Sequence, residues 1–568
     1  MKKRLSLSPI FGLALLMATL NGGAAPRIGT LYLESQAALQ TQLLRGAEVF
    51  EFPQLAALPM LLTMRLPGAA LMDTRKPIAM HVMQSGSSAP NLILEISPAG
   101  TAEAYLQALV GEGTPLPVPT EGVFRLGDGT QARIVDGRLL LAPDMGNEAN
   151  GLAGDIAALP ALPDMPGAIR LSLAPAALGP MLKNARKMLD SMPDSMPNAA
   201  QNRRLMQSMF DGYASVLEQI EVLNLGLDMQ NDGLYIRSRL VPKAGTDLAA
   251  LIASMQPAAA VALDFVESSS MFSYASGSAT LPPAFTQRLT DFYTQMMTLA
   301  PGLGAVAPDE VAALMAPSMA ALGAPMAFTV RPSAEMPLLA QGMMGVAAPA
   351  AYIEHQIALM KAPLFQKLSH MTPAAPVKRD WQGTTVYTFQ NPMDEAAMAQ
   401  MMRAAMPSNT PPAQAEAAMK ASLEAMKTMS RFFAGGYEYA ATPKALAFGM
   451  GAPAMVEEAL KRVQAPPTTS QEAERIKTKL VADGALPQAL GRMSWSSLVS
   501  LMMSAFVAPG LAPVAPGEGV IFANWTAGND LYGALLIPPS EIKAVKAQMQ
   551  ALQMQMMQKA QEALDDAE

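Results

Sequence analysis

The chain has only three histidines, His81, His355 and His370. Imidazole is the side chain that moves protons near neutral pH and the commonest metal ligand. The zincin metalloprotease motif needs two of them one helical turn apart, with a glutamate between them to act as base. No pair among His81, His355 and His370 has that spacing, and each reads as an isolated surface or core histidine. The chain also has no cysteine, which excludes disulfides, thiolate metal sites, cysteine nucleophiles and a lipid-modified cysteine. No catalytic, cofactor-binding or metal-binding residue is therefore assigned, and no cofactor is expected.

Several short motifs imitate known chemistry. Gly127–Ala132 and Gly449–Ala454 both match G-x-G-x-x-A. The first lies between two expected strands and is a turn. The second comes after a strand and opens a helix, but that helix leads into a Pro-rich stop and a polar helix, not the parallel return strand of a dinucleotide site. Asp228-Met229-Gln230-Asn231-Asp232-Gly233 starts like a calcium loop, yet Arg239 stands where a bidentate glutamate is required. Ser540-Glu541-Ile542-Lys543 has the S-x-x-K spacing of serine acyl-enzymes without their companion motifs, and Ser540 suits a helix N-cap. Glu457 and Glu458 read as a solvated helix face. Asn524-Trp525-Thr526 is a formal glycosylation sequon inside an expected strand. Ser191-Met192-Pro193-Asp194 and Ser195-Met196-Pro197-Asn198 read as successive turns. Lys183, Arg186, Lys187, Arg203 and Arg204 flank them as a small basic patch, or simply a solvated helix face.

The elements that carry these residues recur. A strand, tight turn, strand and helix are expected at 77–83, 91–97 and 101–110, and again at 222–230, 233–241 and from 246. The series returns at 324–331, 338–346 and 350–360, and at 520–526, 531–537 and from 540. Two of the turns share a motif: Asn231-Asp232-Gly233-Leu234-Tyr235 against Asn529-Asp530-Leu531-Tyr532. A second series of three short strands is expected at 123–126, 131–135 and 138–142, and at 385–389, 436–440 and 445–449. Further strands are expected at 168–173 and 260–266.

The expected class is α+β, a tandem duplication of antiparallel-sheet units with helices packed on one sheet face. The expected halves are 26–257 and 258–568, each with two hairpin–helix units, the second carrying a helical insertion at 393–433. The rhythm at 223–252, and the tyrosine strand, turn, Leu-Ala-Phe strand and helix at 437–463, resemble DUF3352-like exported bacterial proteins of unknown function. The resemblance covers most of the chain as a pattern and implies no known activity.

The N-terminus points to export. Lys2, Lys3 and Arg4 precede an apolar run at 10–20 and the small residues Gly22, Gly23, Ala24 and Ala25. That is a secretory signal, residues 1–25, with cleavage after Ala24 or Ala25. The periplasm or the extracellular space is the expected destination. No later run reaches the roughly 20 residues a membrane span needs, so no transmembrane span is expected. The formal net charge of −7 argues against nucleic acid as a partner.

An apolar content of 51% supports packed cores, and 45 Met outnumber the 17 Phe, 11 Tyr and 3 Trp together. Flexible thioethers suit both ordinary helix cores and adaptable apolar pockets. The last helix, 540–564, places Ile542, Val545, Met549, Leu552 and Met556 on an alternating three–four seam. That seam packs on its own sheet or on an envelope protein. The expected function is a non-enzymatic envelope binding or scaffolding protein that holds a hydrophobic small molecule or lipid. The alternatives are an envelope enzyme whose site is assembled from dispersed residues, and an interaction scaffold working through the last helix.

Overall fold

The structure, a computed structural model, describes residues 27–65, 68–83, 91–111, 113–127, 129–143, 165–175, 199–298, 309–311, 321–333, 338–362, 375–390, 436–503 and 516–565, with single residues 179, 186, 313 and 419. The signal segment, the 191–198 turns, His370 and all but one residue of the 393–433 insertion lie outside these. Among the described residues are nineteen strands and thirteen helices, one of them a 3-10 turn, in a mixed α+β class. Two compact units partition the chain. One holds Met1–Met192, Phe210–Ala249 and Asn529–Ala534, and the other Pro193–Met209, Ala250–Gly528 and Leu535–Glu568.

The first unit is built on β1 (Arg27–Leu33), β2 (Ile78–Met83), β3 (Asn91–Ile96), β4 (Val123–Arg125), β5 (Thr130–Val135), β6 (Arg138–Pro143), β7 (Ile169–Leu173), β8 (Ile220–Gln230) and β9 (Gly233–Pro242). Their pairings run β4-β5-β6-β3-β2-β1-β7-β8-β9, every one antiparallel. Helices α1 (Gln36–Val49) and α2 (Gln54–Arg65) come after β1, and α3 (Ala102–Val110) comes after β3. The Ser35 and Thr101 hydroxyls accept the Ala38 and Ala104 amides, which starts α1 and α3 where the orphan N–H groups need partners. Tyr105 and Leu106 of α3 pack on Ile78, Ile96, Ala132, Leu139 and Leu141. Each fully buried Leu or Ile contributes about 1.5–3 kcal/mol.

The second unit is built on β10 (Phe272–Ser276), β11 (Met326–Pro332), β12 (Leu338–Met344), β13 (Val377–Trp381), β14 (Thr384–Phe389), β15 (Tyr437–Ala441), β16 (Leu446–Met450), β17 (Pro487–Met493) and β18 (Val520–Ala527); the last strand, β19 (Asp530–Ile537), is divided between the units at Ala534. The pairings run β13-β14-β15-β16-β12-β11-β10-β17-β18, again all antiparallel. The connectivity repeats that of the first unit. The opening strand pairs with the next strand on one side and, on the other, with the strand after a meander, which has three strands in the first unit (β4–β6) and four in the second (β13–β16). The third strand pairs with the last strand of that meander. Labelled helices here are α4 (Pro349–Lys361), α5 (Pro453–Gln464), α6 (Gln471–Leu480), α7 (Trp495–Met502) and α8 (Pro539–Asp565).

Two expectations are corrected. Residues 260–266 are not a strand: Ala260–Leu263 is a short helix, and the strand comes later, at Phe272–Ser276. Ala258, Ala259, Ala260 and Ala262 favour helix, and Ala262, Leu263, Phe265 and Val266 are all buried, so the apolar run fitted either period. Nor do the sheets bury only one face. In the second unit the polar positions Ser273, Thr329, Gln341, Glu438 and Arg492 are buried too.

Candidate functional site

In the first unit, β1 and β2 place Thr30 opposite His81, and β2 and β3 place Ala79 opposite Glu95. Side chains alternate along a strand, so Thr30, His81 and Glu95 share a face. Thr30 Oγ1 lies 2.9 Å from His81 Nδ1, and His81 Nε2 lies 3.0 Å from Glu95 Oε2. Arg138 Nη1 donates to the other Glu95 oxygen at 2.5 Å. Burial pushes the Glu95 carboxyl up, but the hydrogen bond from His81 and the Arg138 guanidinium outweigh it and hold it below its ordinary value. An ionised carboxylate only accepts, so the His81 ring donates to Glu95 from Nε2.

Hydroxyl, imidazole and carboxylate stand here in the order used by nucleophilic triads. Yet Thr30 is 4% exposed and His81 2%. Thr30 is also paired on both sides, with His81 and with Ser172, so the ladder engages the amides that would have to receive a developing oxyanion. Beyond Ser172 the same row reaches Asn224, which is buried and whose Oδ1 has no hydrogen-bond partner among the described residues.

The second unit gathers its charges on the corresponding face. Glu267 receives a bidentate pair from Arg331, Nε at 2.8 Å and Nη2 at 2.6 Å, and Arg462 Nη2 at 2.5 Å. Burial raises the Glu267 carboxyl and the two guanidinium groups more than offset it, leaving it below its ordinary value. Arg331 extends to Glu458 at 3.2 Å, and Arg462 donates to the Asp264 carbonyl at 2.7 Å. A second cluster joins Arg379 to Glu438 at 3.0 Å and to Glu457 at 2.8 Å, with Thr388 donating to Glu438 at 2.7 Å. In a third, Arg475 donates to Glu472 at 2.6 Å, and Arg492 lies 4.0 Å from the same carboxylate. Burial lowers the Arg492 guanidinium despite these acids. The expectation that Glu457 and Glu458 face solvent is corrected in part: both carboxylates of α5 reach strand arginines, with Glu457 28% and Glu458 41% exposed. Gly449 makes the approach feasible, because a Cβ there would collide with the Val456 amide nitrogen.

The opposite face of this sheet is aromatic. The pairings Phe272–Val330, Tyr274–Phe328, Phe328–Gly342, Gly342–Phe448, Tyr274–Gly491 and Gly491–Phe522 put five rings on one side. Ring centroids lie 5.3 Å apart for Phe272–Phe328, 5.9 Å for Tyr274–Phe328, 6.4 Å for Tyr274–Phe522 and 6.5 Å for Phe272–Phe522. Phe448 and Phe522 lie over Gly342 and Gly491, in space any side chain would fill. All five rings remain partly exposed. Further along, α4 covers this face: Ile353 and Met360 pack on Phe389 and Leu446, beside Tyr437 and Tyr439. Burial raises the Tyr439 phenol. His355, also on α4, has a buried Nε2 with no hydrogen-bond partner among the described residues.

The chain matches no family model, no curated protein and no solved structure.

Of the described residues singled out in the sequence, His81 joins the Thr30–Glu95 row, and Glu457 and Glu458 join the Arg379 and Arg331 clusters. The 449–454 motif does sit between a strand and a helix, but β16 pairs antiparallel with both neighbours. In the calcium-loop look-alike, Gln42 and Gln230 donate to Asp228 and Tyr235 donates to Asp232. The 231–233 turn needs positive φ only at Gly233. Ser540 comes after the first helical residue, Pro539, and accepts the Glu518 amide at 3.2 Å. Asn524 lies in β18 as expected. Arg186, of the basic patch, pairs with Asp211 at 2.7 Å.

Sequence reasoning missed Glu267, Arg331, Arg379 and Arg462. The one available signal was an arginine set among apolar residues in a strand, as in Thr329-Val330-Arg331, where a charge must meet an acid if buried.

Proposed function

We propose that the protein is an exported envelope protein that binds an apolar small molecule or lipid and does no catalysis of its own. The reading rests on the five partly exposed rings of Phe272, Tyr274, Phe328, Phe448 and Phe522, packed as a platform over two glycines. Aromatic rings bury much area and lose little freedom, so such a surface suits flat or acyl ligands. Export is inferred from the leader at 1–25, and membership of the DUF3352-like exported group from the strand–turn–strand–helix rhythm. The shared connectivity of the two sheets supports a tandem duplication, with 26–257 and 258–568 as the two copies. Thr30, His81 and Glu95 are read as a fold-holding network, since burial closes them to a substrate.

The test is native mass spectrometry of mature protein purified from its own envelope, then solvent extraction. A stoichiometric apolar adduct is expected. It should be lost in the Phe272→Ala/Phe522→Ala variant, whose folding is checked by tryptophan emission. A clean apo mass from freshly purified protein would sink the reading.

A further inference from the structure

The second unit's sheet ends on an unpaired edge. Among the described residues β13 pairs with β14 and with no other strand. Trp381 and Thr384 flank a two-residue turn, with Gln382 at φ 50° and Gly383 at φ 81°, the positive pair that a type I′ hairpin needs. In such a turn the Trp381 carbonyl accepts the Thr384 amide, so these two residues are a hydrogen-bonded pair. Bonded and non-bonded pairs then alternate along the ladder. Arg379 and Val377 therefore bond to β14, while the amides and carbonyls of Lys378 and Asp380 point away from the sheet. Val377, Lys378 and Asp380 are exposed, Val377 by 61%. Lys378 Nζ lies 5.1 Å from the Tyr387 ring centre, and Asp380 accepts the Gly383 amide at 3.1 Å. Neither charge is in an ion pair among the described residues.

We propose that two copies of the chain pair antiparallel through this edge, centred on Arg379, so that the sheet continues from one copy into the other. Val377-Lys378-Arg379-Asp380-Trp381 is self-complementary about that centre. Lys378 of each copy meets Asp380 of the other. Both are outward-pointing residues, so each such pair exchanges two backbone hydrogen bonds as well as opposite charges. On the other face Val377 meets Trp381, whose indole already has Lys461 5.9 Å from its ring centre. Arg379 meets Arg379 at the axis, and each is already neutralised by Glu438 and Glu457. A register shifted by two residues sets Lys378 against itself or Asp380 against itself, so charge admits one register. Lysine and proline on an edge ordinarily guard it against pairing. Here Pro376, with no N–H, ends the ladder at Lys378, and the lysine has an acid to meet. The edge therefore accepts its own short sequence and rejects a long strand. So short a ladder buries far less than the roughly 1,600 Å² of a standard interface, so the association is concentration-dependent. The inference does not depend on the apolar-ligand reading.

The test is sedimentation velocity on the full mature chain across roughly a hundredfold concentration range, centred on micromolar affinity. The mass should double with concentration. Lys378→Glu alone and Asp380→Lys alone each set like charges opposite one another, and each should stay monomeric. An equimolar mixture of the two variants restores an acid opposite a lysine at both positions and should dimerise again. A variant that had lost its fold could not regain a partner in the mixture, and urea unfolding of each variant checks this directly. Hydrogen exchange locates the contact. The outward amides of Lys378 and Asp380 should gain protection as concentration rises, while that of Arg379 is protected throughout. A monomer at every concentration, doubling that survives in either single variant, a mixture that stays monomeric, or doubling without protection at Lys378 and Asp380 would each overturn the proposal.

Discussion

Glu267 is the hub of the cluster that joins Arg331 and Arg462, and Glu267→Gln isolates its role. The substitution keeps the side-chain shape and removes the charge, leaving Arg331 and Arg462 without their shared carboxylate. Their side chains are 27% and 22% exposed, and that of Glu267 is 15% exposed. Removing one partner of a buried pair costs about 3–5 kcal/mol, and this partial exposure places the cost near ~3 kcal/mol. At ~2 °C per kcal/mol for a large unit, the melting temperature falls by about 6 °C. The assay is built into the sequence. Trp381, Trp495 and Trp525 are the chain's three tryptophans and all lie within Ala250–Gly528, so their emission reports the second unit alone.

Acid supplies the control. The folded Glu267 carboxyl sits below its ordinary value of 4.5, so its contribution is fully present above that pH and fades as pH falls further. Wild type and Glu267→Gln should therefore differ at neutral pH and converge below about 4.5. Glu267→Leu/Arg331→Met/Arg462→Met should recover most of the loss, because it strands no buried charge; Glu458, 41% exposed, is left to water. A single-variant cost under about 1 kcal/mol, or a difference unchanged at acid pH, would refute the reasoning.

Two further outcomes are expected. Gly449→Ala must push α5 off β16, because its methyl would meet the α5 backbone, with Met455 C at 2.9 Å as well as the Val456 amide; a loss of about 1–3 kcal/mol should appear in tryptophan-detected urea unfolding. His81→Leu removes the partner of the Thr30 hydroxyl and one of two from Glu95, at about 1–3 kcal/mol. Hydrogen exchange should quicken across β1–β3, and unchanged exchange there would refute the role of the His81 hydrogen bonds.

Hairpins and helices were legible wherever local signals agreed. The 231–233 turn, the Thr101 cap and Pro453 at the start of α5 each fix an element without tertiary help. The strand at Phe272–Ser276 was hidden because its neighbours are supplied from far along the chain: β11 and β17 flank it, and Phe-Ser-Tyr-Ala-Ser is too short to declare itself. The aromatic platform was hidden for a related reason. Phe272, Phe328, Phe448 and Phe522 are scattered over 250 residues of sequence and meet only through register. His81 was visible as a residue but not as a partner, since nothing local links position 81 to Thr30 or Glu95.

The deeper misreading concerned alternation. A strand such as Met326–Pro332 alternates apolar and polar, and the polar parity suggested solvent. In the structure Thr329 is 0% exposed and Arg331 reaches an acid on another element. Period two reports that a strand's faces differ, not that one of them is wet. What distinguishes the cases is the helix that arrives later. The α5 helix carries Glu458 and Arg462 on one stripe and Met455, Val456, Ala459 and Leu460 buried beside it, and that stripe meets Arg331 and Glu267 while Glu458 also keeps contact with water. Matching acid-bearing helices against arginine-bearing strands is therefore the test that the sequence offered: it marks Glu457, Glu458, Arg331 and Arg379 as candidates, and register decides which of them pair.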